Sequence, residues 1–175
     1  MTVSERRGVV PGSFHPLTIA HIALGVVACD ALQLDGIDLS VSQSALGKGH
    51  LDDSAVERVE AVSADIRDHP TWRAVTTPAK LLSEIAAPYD ALVIGADKLA
   101  QLLDPKWYEH DDQRRDDALR QLPVVAVAPR AGTDLDALLE RADLLDIVVL
   151  DTPPHLRTVS ATAVRAGRTE WKASA

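Results

Sequence analysis

Short apolar runs alternate with helical segments along the chain, and this alternation is the feature that most restricts the fold. The runs that predict strands are 8–10, 37–41, 71–76, 91–94, 124–128 and 147–150. The segments that predict helices are 18–32, 54–68, 79–86, a stretch containing Pro105 that ends at 120, 135–142, and a last one starting at Ser160. This order is typical of right-handed βαβ units. We therefore predict an α/β fold, a parallel sheet with helices on both faces, in a single domain spanning residues 1–175.

Composition narrows the classes of function. Hydrophobic residues make up 46% of the chain, yet it has only three Trp, two Tyr and one Phe, so the core must be aliphatic, as in buried parallel strands. The net charge of -8 argues against binding to nucleic acid or a membrane surface, because both require a positive field. A single cysteine excludes an internal disulfide and a cysteine-based metal cluster, and we predict no metal ligands. With no apolar span of membrane length and no signal peptide, we expect a cytoplasmic protein with small-molecule partners.

The first candidate site follows the first predicted strand. Ligands of such sheets bind at the carboxyl ends of strands, where the strand order reverses. A turn at Gly12 and Ser13 leaves the backbone open to a phosphate, and a helix beginning near Thr18 points its N–H groups at the same place. Thr18 and His21 share one face of that first turn. Taken alone, the segment favours a simpler interpretation, in which Thr18 caps the helix and His21 is a packed or surface histidine.

Two further candidates lie in the middle of the chain. The polar loop 43–49 places Lys48 between two glycines, where it could reach a phosphate or remain a solvated loop residue. In the helix that follows, Arg58 by itself is predicted to be an ordinary surface arginine. After a buried strand, Gly95 would let the backbone approach a ligand. Asp97 could accept a hydrogen bond from a ribose hydroxyl or cap the next helix.

The last candidate lies near the end of the chain. Hydroxyl groups at Ser160 and Thr162 begin a predicted helix, and Arg165 follows about one turn later. Hydroxyl donors, a helix N-terminus and a guanidinium form a suitable anion cradle. The alternative is a serine cap followed by a surface arginine.

In this order, the segments resemble one family. Gly12-Ser13-Phe14-His15-Pro16-Leu17-Thr18-Ile19-Ala20-His21 resembles the G-S/T-F-(D/N)-P-x-(H/T)-x-G-H motif of nucleotidyltransferases with the HIGH-type signature, and residues 159–165 resemble their I-S-S-T-x-I-R motif. Gly95-Ala96-Asp97 followed by Trp107, the stretch 128–132 containing Arg130, and Lys48 with Arg58 are similar to nicotinamide and nicotinate mononucleotide adenylyltransferases. The resemblance spans residues 8 to 168.

The resemblance implies a Rossmann-like, nucleotidyltransferase-type domain that binds ATP with Mg²⁺ and transfers AMP to a pyridine mononucleotide, releasing pyrophosphate, in NAD biosynthesis. It implies that Thr18 and His21 contact the ATP phosphates, that His21 stabilises charge on the α-phosphate, and that Lys48 steers the phosphates. Trp107 could stack on the pyridine ring, or it could be a partly buried structural tryptophan. The other residues implied to bind the nucleotides or their phosphates are Gly12, Ser13, Phe14, His15, Gly95, Asp97, Arg130, Ser160, Thr162 and Arg165.

Several positions depart from the family pattern. Pro11 replaces a glycine, His15 an aspartate or asparagine, Ala20 a glycine and Ala161 a serine, and no aromatic residue follows the strand predicted at 71–76. Alternatives therefore stay open: an adenylyltransferase for another phosphate acceptor such as phosphopantetheine, a nucleotide-binding module with impaired catalysis, or an α/β domain that binds no nucleotide. Whether copies of the chain assemble into a homo-oligomer is also open.

Overall fold

A six-stranded parallel sheet forms the centre of the protein in a computed structural model, which describes residues 5–43 and 54–173. The strands are β1 (Arg7–Gly12), β2 (Gly36–Ser42), β3 (Arg73–Thr77), β4 (Ala91–Gly95), β5 (Val124–Ala128) and β6 (Ile147–Val149). Their spatial order is β3-β2-β1-β4-β5-β6, and every neighbouring pair is parallel. All six predicted strands are therefore confirmed. The order reverses between β1 and β4, which is where a ligand site is expected.

The helices fill the connections between the strands. Within the described residues they are α1 (Ile19–Leu32), α2 (Ala55–Asp65), α3 (Leu82–Ala86), α4 (Ala96–Leu103), α5 (Asp112–Leu119), α6 (Leu135–Leu139) and α7 (Ala161–Arg165), with short 3₁₀ helices at Pro105–Tyr108, Pro154–Leu156 and Thr169–Trp171. Pro105 starts a new 3₁₀ helix after α4 ends, because proline lacks the N–H that a helix interior needs. None of these helices is long and apolar enough to cross a membrane.

The sheet has an apolar core on each face. One core contains side chains of α1 and α2, such as Leu24 and Val62, and the other contains side chains of α3, α4 and α6, such as Leu99. The largest side chains with almost no exposure are all Leu, Ile or Val. The expected aliphatic core is therefore confirmed, and it holds the strand ends rigidly beneath the loops that follow them.

The first strand continues through Pro11 to Gly12, although the sequence predicted that Pro11 and Gly12 would end it. On one side β1 pairs with β2 over its whole length, and Pro11 lies opposite Ser40. On the other side it pairs with β4 only through Gly8 and Val9. Pairing with β4 ends at Val9, so on the β4 side proline, which has no N–H, breaks no hydrogen bond of the sheet. The opening between β1 and β4 that begins there is the floor of the site described below.

A buried polar network holds the opposite end of the sheet. The guanidinium Nε of Arg7 donates to Asp38 Oδ1 at 3.0 Å, and the Tyr89 hydroxyl donates to Asp38 Oδ2 at 3.0 Å. The Asp38 residue is only 7% exposed. Burial, followed by the charge of Asp38, raises the pKa of Tyr89 to about 12. These bonds tie β1 and β2 to the residues just before β4, away from the candidate site.

Candidate active site

A cleft of about 270 Å³ opens at the point where the strand order reverses. Its walls are the loops after β1 and β5, the first turns of α1 and α4, and the segment leading into α7. The floor is largely apolar and includes Val10, Val93 and Ile94. Polar and cationic side chains lie around this floor, so the cleft can enclose an apolar ring while offering donors to an anion.

The first turn of α1 fixes the orientation of His21. The N–H of Thr18 donates to His21 Nδ1 at 3.0 Å, and the Thr18 hydroxyl lies 2.9 Å from the same nitrogen. A backbone N–H can only donate, so Nδ1 presents its lone pair and the proton of the neutral ring lies on Nε2. The predicted cap and the predicted phosphate ligand are therefore compatible: one edge of the ring caps the helix, and the other carries a donor.

The turn after β1 packs against the same histidine. Phe14 has a φ of 46°, a left-handed conformation that is uncommon for an aromatic residue. Its ring meets the edge of the His21 ring, with centroids 5.1 Å apart and an interplanar angle of 76°. A Cβ atom at Gly12 would lie 2.9 Å from the Phe14 ring, so glycine is required there by the ring itself. The phenyl ring thus packs against the His21 ring.

The start of α7 joins the cleft beside this turn. The Ser160 hydroxyl accepts a hydrogen bond from the Ala163 N–H at 3.1 Å, as the predicted serine cap requires. Arg165 donates from Nη2 to the Thr162 hydroxyl at 3.2 Å and from Nη1 to the His15 carbonyl. The guanidinium is exposed and holds two of the predicted segments together. Its positive charge therefore stands at the cleft, where a phosphate could exchange for the carbonyl.

The first turn of α4, directly after β4, carries one partner of an ion pair. Asp97 Oδ1 lies 3.7 Å from Arg130 Nε, which comes from the loop after β5. A Cβ atom at Gly95 would lie 2.6 Å from that carboxylate oxygen and 3.0 Å from Arg130 Cγ. From the sequence we expected glycine at position 95 because a ligand approaches the backbone. In the structure the Asp97–Arg130 ion pair itself occupies the space that a side chain at position 95 would need.

Comparison with known proteins agrees with this arrangement. No family model matches the sequence. A curated protein of Bordetella avium (strain 197N), named probable nicotinate-nucleotide adenylyltransferase, is 28% identical over 151 residues, which cover 81% of this chain and 73% of the relative.

Solved structures share the fold. Plasmodium falciparum nicotinic acid mononucleotide adenylyltransferase complexed with NaAD aligns with a TM-score of 0.65 and 11% identity, over 93% of this chain and 83% of that one. The same enzyme complexed with APC aligns with a TM-score of 0.61 and 12% identity over the same shares. The sheet order, the motif order and these comparisons agree. The chain therefore has the α/β fold of these adenylyltransferase structures.

Most of the site residues predicted for a nucleotidyltransferase come together in the cleft. Those that line it are Gly12, Ser13, Phe14, Thr18, His21, Gly95, Asp97, Arg130, Ser160, Thr162 and Arg165. His15 contributes its carbonyl to Arg165. Lys48 lies outside the described residues, and its role stays a prediction.

Trp107 lies elsewhere. It is half-buried and lines a second groove of about 620 Å³ between α3 and α5, with Lys106 Nζ 5.1 Å from its ring centroid. A smaller pocket beside it is lined by Trp107 and by Gln101 of α4. The predicted stacking of Trp107 on a pyridine ring therefore stays a prediction, because the geometry of the cleft does not test it.

Two polar residues that line the cleft were missed by sequence reasoning. Lys98 and Thr152 both line the cleft, and Thr152 is 6% exposed. Lys98 directly follows the Gly95-Ala96-Asp97 motif, so its place in the first turn of α4 was a usable signal. Thr152 follows the last strand in a segment with no recognisable motif. The prediction that Arg58 is a surface residue is wrong, since it is 3% exposed.

Proposed function

We propose that the chain is an adenylyltransferase that moves AMP from ATP to a pyridine mononucleotide and releases pyrophosphate, a step of NAD biosynthesis. The observation that carries the proposal is the cleft at the strand reversal, which unites His21 with Thr162 and Arg165. The name of the Bordetella relative favours nicotinate mononucleotide as the acceptor. Thr18 at the position of the first motif histidine also fits a phosphopantetheine enzyme, but the names of the relative and of the two solved structures do not mention that acceptor.

The reaction needs no covalent bond to the protein. An oxygen of the acceptor phosphate attacks the α-phosphorus of ATP, and the bond from that phosphorus to the bridging oxygen of pyrophosphate breaks. Catalysis then rests on holding the two nucleotides in line and on stabilising the charge that develops on the α-phosphate oxygens.

We infer the residue roles from the resemblance and from the hydrogen bonds of the cleft. His21 donates from Nε2 to the α-phosphate, because Thr18 holds Nδ1 as an acceptor. Thr162 and Arg165 bind the β- and γ-phosphates, and Arg165 exchanges the His15 carbonyl for a phosphate oxygen. Lys48 steers the phosphates, as the resemblance implies. A charge-assisted bond to phosphate is stronger than a neutral one, which favours the exchange.

Magnesium is expected to enter with ATP. Within the part of the chain that the structure describes, no group of three or more His, Cys, Asp or Glu side chains could hold a metal ion. Asp97 is the carboxylate among the described residues that line the cleft. This donor set fits Mg²⁺, which usually binds through one or two carboxylates together with substrate phosphates. When bound, the ion neutralises charge on the phosphates.

Pyrophosphate release from ATP and Mg²⁺, measured with a panel of acceptors, tests this proposal. We expect release with nicotinate or nicotinamide mononucleotide and little with phosphopantetheine. His21→Ala serves as the inactive control. Pyrophosphate release with phosphopantetheine alone would identify phosphopantetheine, and not a pyridine mononucleotide, as the acceptor. ATP binding without release on any acceptor would favour a nucleotide-binding module with impaired catalysis.

The predicted contact between Trp107 and the acceptor substrate has its own test. If the pyridine ring stacks on the indole, Trp107→Ala should raise the KM for the mononucleotide about tenfold and leave the KM for ATP unchanged, because stacking on an aromatic side chain contributes roughly 1–3 kcal/mol. Trp107→Phe keeps an aromatic face and should lose less. An unchanged acceptor KM in a folded Trp107→Ala variant would place the pyridine ring elsewhere.

A further inference from the structure

The guanidinium of Arg58 bridges two backbone segments beneath the site. Arg58 lies in the first turn of α2 and is 3% exposed. Its Nη1 donates to the Ser13 carbonyl at 2.9 Å, and its Nη2 donates to the Ser42 carbonyl at 3.0 Å. Ser13 belongs to the turn after β1, and Ser42 is the last residue of β2. One rigid, planar group thus sets the distance between that turn and the end of the neighbouring strand.

This contact fixes the direction of a backbone donor. The peptide bond between Ser13 and Phe14 is trans and planar, so its N–H points opposite to its carbonyl. Arg58 holds the Ser13 carbonyl, and the Phe14 N–H therefore points away from α2. Among the described residues, no backbone or side-chain group accepts a hydrogen bond from this N–H.

The direction away from α2 is the direction of the cleft. Helix α2 packs on β2 and β3, on one side of β1, whereas the cleft lies on the β4 side. No described residue of β2, β3 or α2 lines the cleft, but Phe14 does. A buried backbone donor without a partner is costly unless a ligand supplies an acceptor. The orientation set by Arg58 suits an anionic oxygen in the cleft.

We propose that Arg58 is a positioning residue: it holds the turn after β1 so that the Phe14 N–H donates to a phosphate oxygen of a bound nucleotide. The inference rests on the proposed function, because it takes nucleotides as the ligands. Arginine suits the task better than lysine, since a planar fork can serve two carbonyls at once. Arg58 itself contacts no substrate.

Titration calorimetry on the full chain tests the proposal with two pairs of ligands, ATP against adenosine and nicotinate mononucleotide against its nucleoside. In Arg58→Met, we expect the Kd of the phosphorylated ligand to rise about tenfold in at least one pair, while the nucleoside of that pair binds as before. The pair that responds identifies which phosphate the turn holds. Arg58→Lys keeps the charge but cannot donate to both carbonyls. Its Kd for the phosphorylated ligand should lie between those of wild type and Arg58→Met.

Val62→Ala is the matched control. Val62 lies one turn further along α2 and is 1% exposed, so its truncation destabilises the same helix without touching the turn. The melting temperature of this variant should fall. In each pair, however, the ratio of the Kd of the phosphorylated ligand to the Kd of its nucleoside should stay at the wild-type value. If Arg58→Met does not fold, Arg58→Lys carries the comparison.

Unchanged ratios in both pairs, in folded Arg58 variants, would overturn the proposal. So would a wild-type protein that binds neither phosphorylated ligand. Because the readout is binding, it is separate from turnover: a wild-type protein that binds ATP in an Arg58-dependent way but releases no pyrophosphate would refute the proposed function alone.

Discussion

Replacing His21 with alanine removes two interactions at once, and the structure allows them to be separated. One is the acceptor at Nδ1 for the Thr18 N–H, 3.0 Å away. The other is the Nε2 donor that we assign to the α-phosphate. Thr18 is 1% exposed, so its N–H would be left in a buried place without the acceptor it now has.

The two losses have different sizes and different readouts. Loss of the cap acceptor should lower the free energy of unfolding by about 1–2 kcal/mol. Loss of a donor to developing charge should lower kcat by about 10²–10³-fold, equivalent to roughly 2.7–4 kcal/mol. Urea unfolding measures the first loss, and steady-state pyrophosphate release measures the second.

His21→Gln distinguishes between the two interactions. Glutamine at the third helical position completes a capping box, in which its carbonyl oxygen accepts from the N-cap N–H. We expect His21→Gln to regain most of the unfolding free energy that His21→Ala loses, yet to keep its low kcat, because the amide committed to Thr18 no longer presents a donor where Nε2–H stands. A kcat near wild type in either variant would refute the assignment of Nε2 to the α-phosphate.

Two further predictions concern the ends of the sheet. Tyr89→Phe leaves the buried Asp38 with one donor fewer and should lower the free energy of unfolding by about 1–3 kcal/mol in urea titrations at neutral pH. The wild-type pKa of Tyr89, about 12 against an ordinary 10, means that the unfolded chain ionises first. The stability that this shift contributes is therefore complete below pH 10 and is lost as the pH rises toward 12; an identical alkaline profile in Tyr89→Phe would contradict it. Gly95→Ala should raise the KM for ATP about tenfold with little change in melting temperature, because the added methyl displaces the Asp97 and Arg130 side chains rather than core residues. An unchanged KM would show that this ion pair does not shape the nucleotide site.

Local patterns in the sequence were sufficient for the fold. Six aliphatic runs separated by helical segments predict the parallel sheet. A serine followed three residues later by a glutamate favours a capping box, and Ser54 and Glu57 form one with hydrogen bonds of 2.8 and 3.1 Å. The segments around Thr18 and Ser160 also meet as expected, because carboxyl ends of parallel strands share one edge of the sheet. These features depend on neighbours within a few residues or on the strand order alone.

Features that depend on distant backbone atoms were not predictable. Arg58 is buried because it serves the carbonyls of Ser13 and Ser42, which are 45 and 16 residues away, and carbonyl groups leave no signature in a sequence. Pro11 stays within a strand because pairing with β4 ends at Val9. The groove that holds Trp107 depends on how α3 packs against α5, which the spacing of motifs does not determine.

Transfer of radiolabel from ATP to the acceptor tests the central claim most directly. With nicotinate mononucleotide as acceptor and Mg²⁺ present, ATP labelled at the α-phosphorus should yield a labelled dinucleotide, and ATP labelled at the γ-phosphorus should yield label only in pyrophosphate. Label from the γ-position in the acceptor product, or no labelled dinucleotide from α-labelled ATP, would contradict the account.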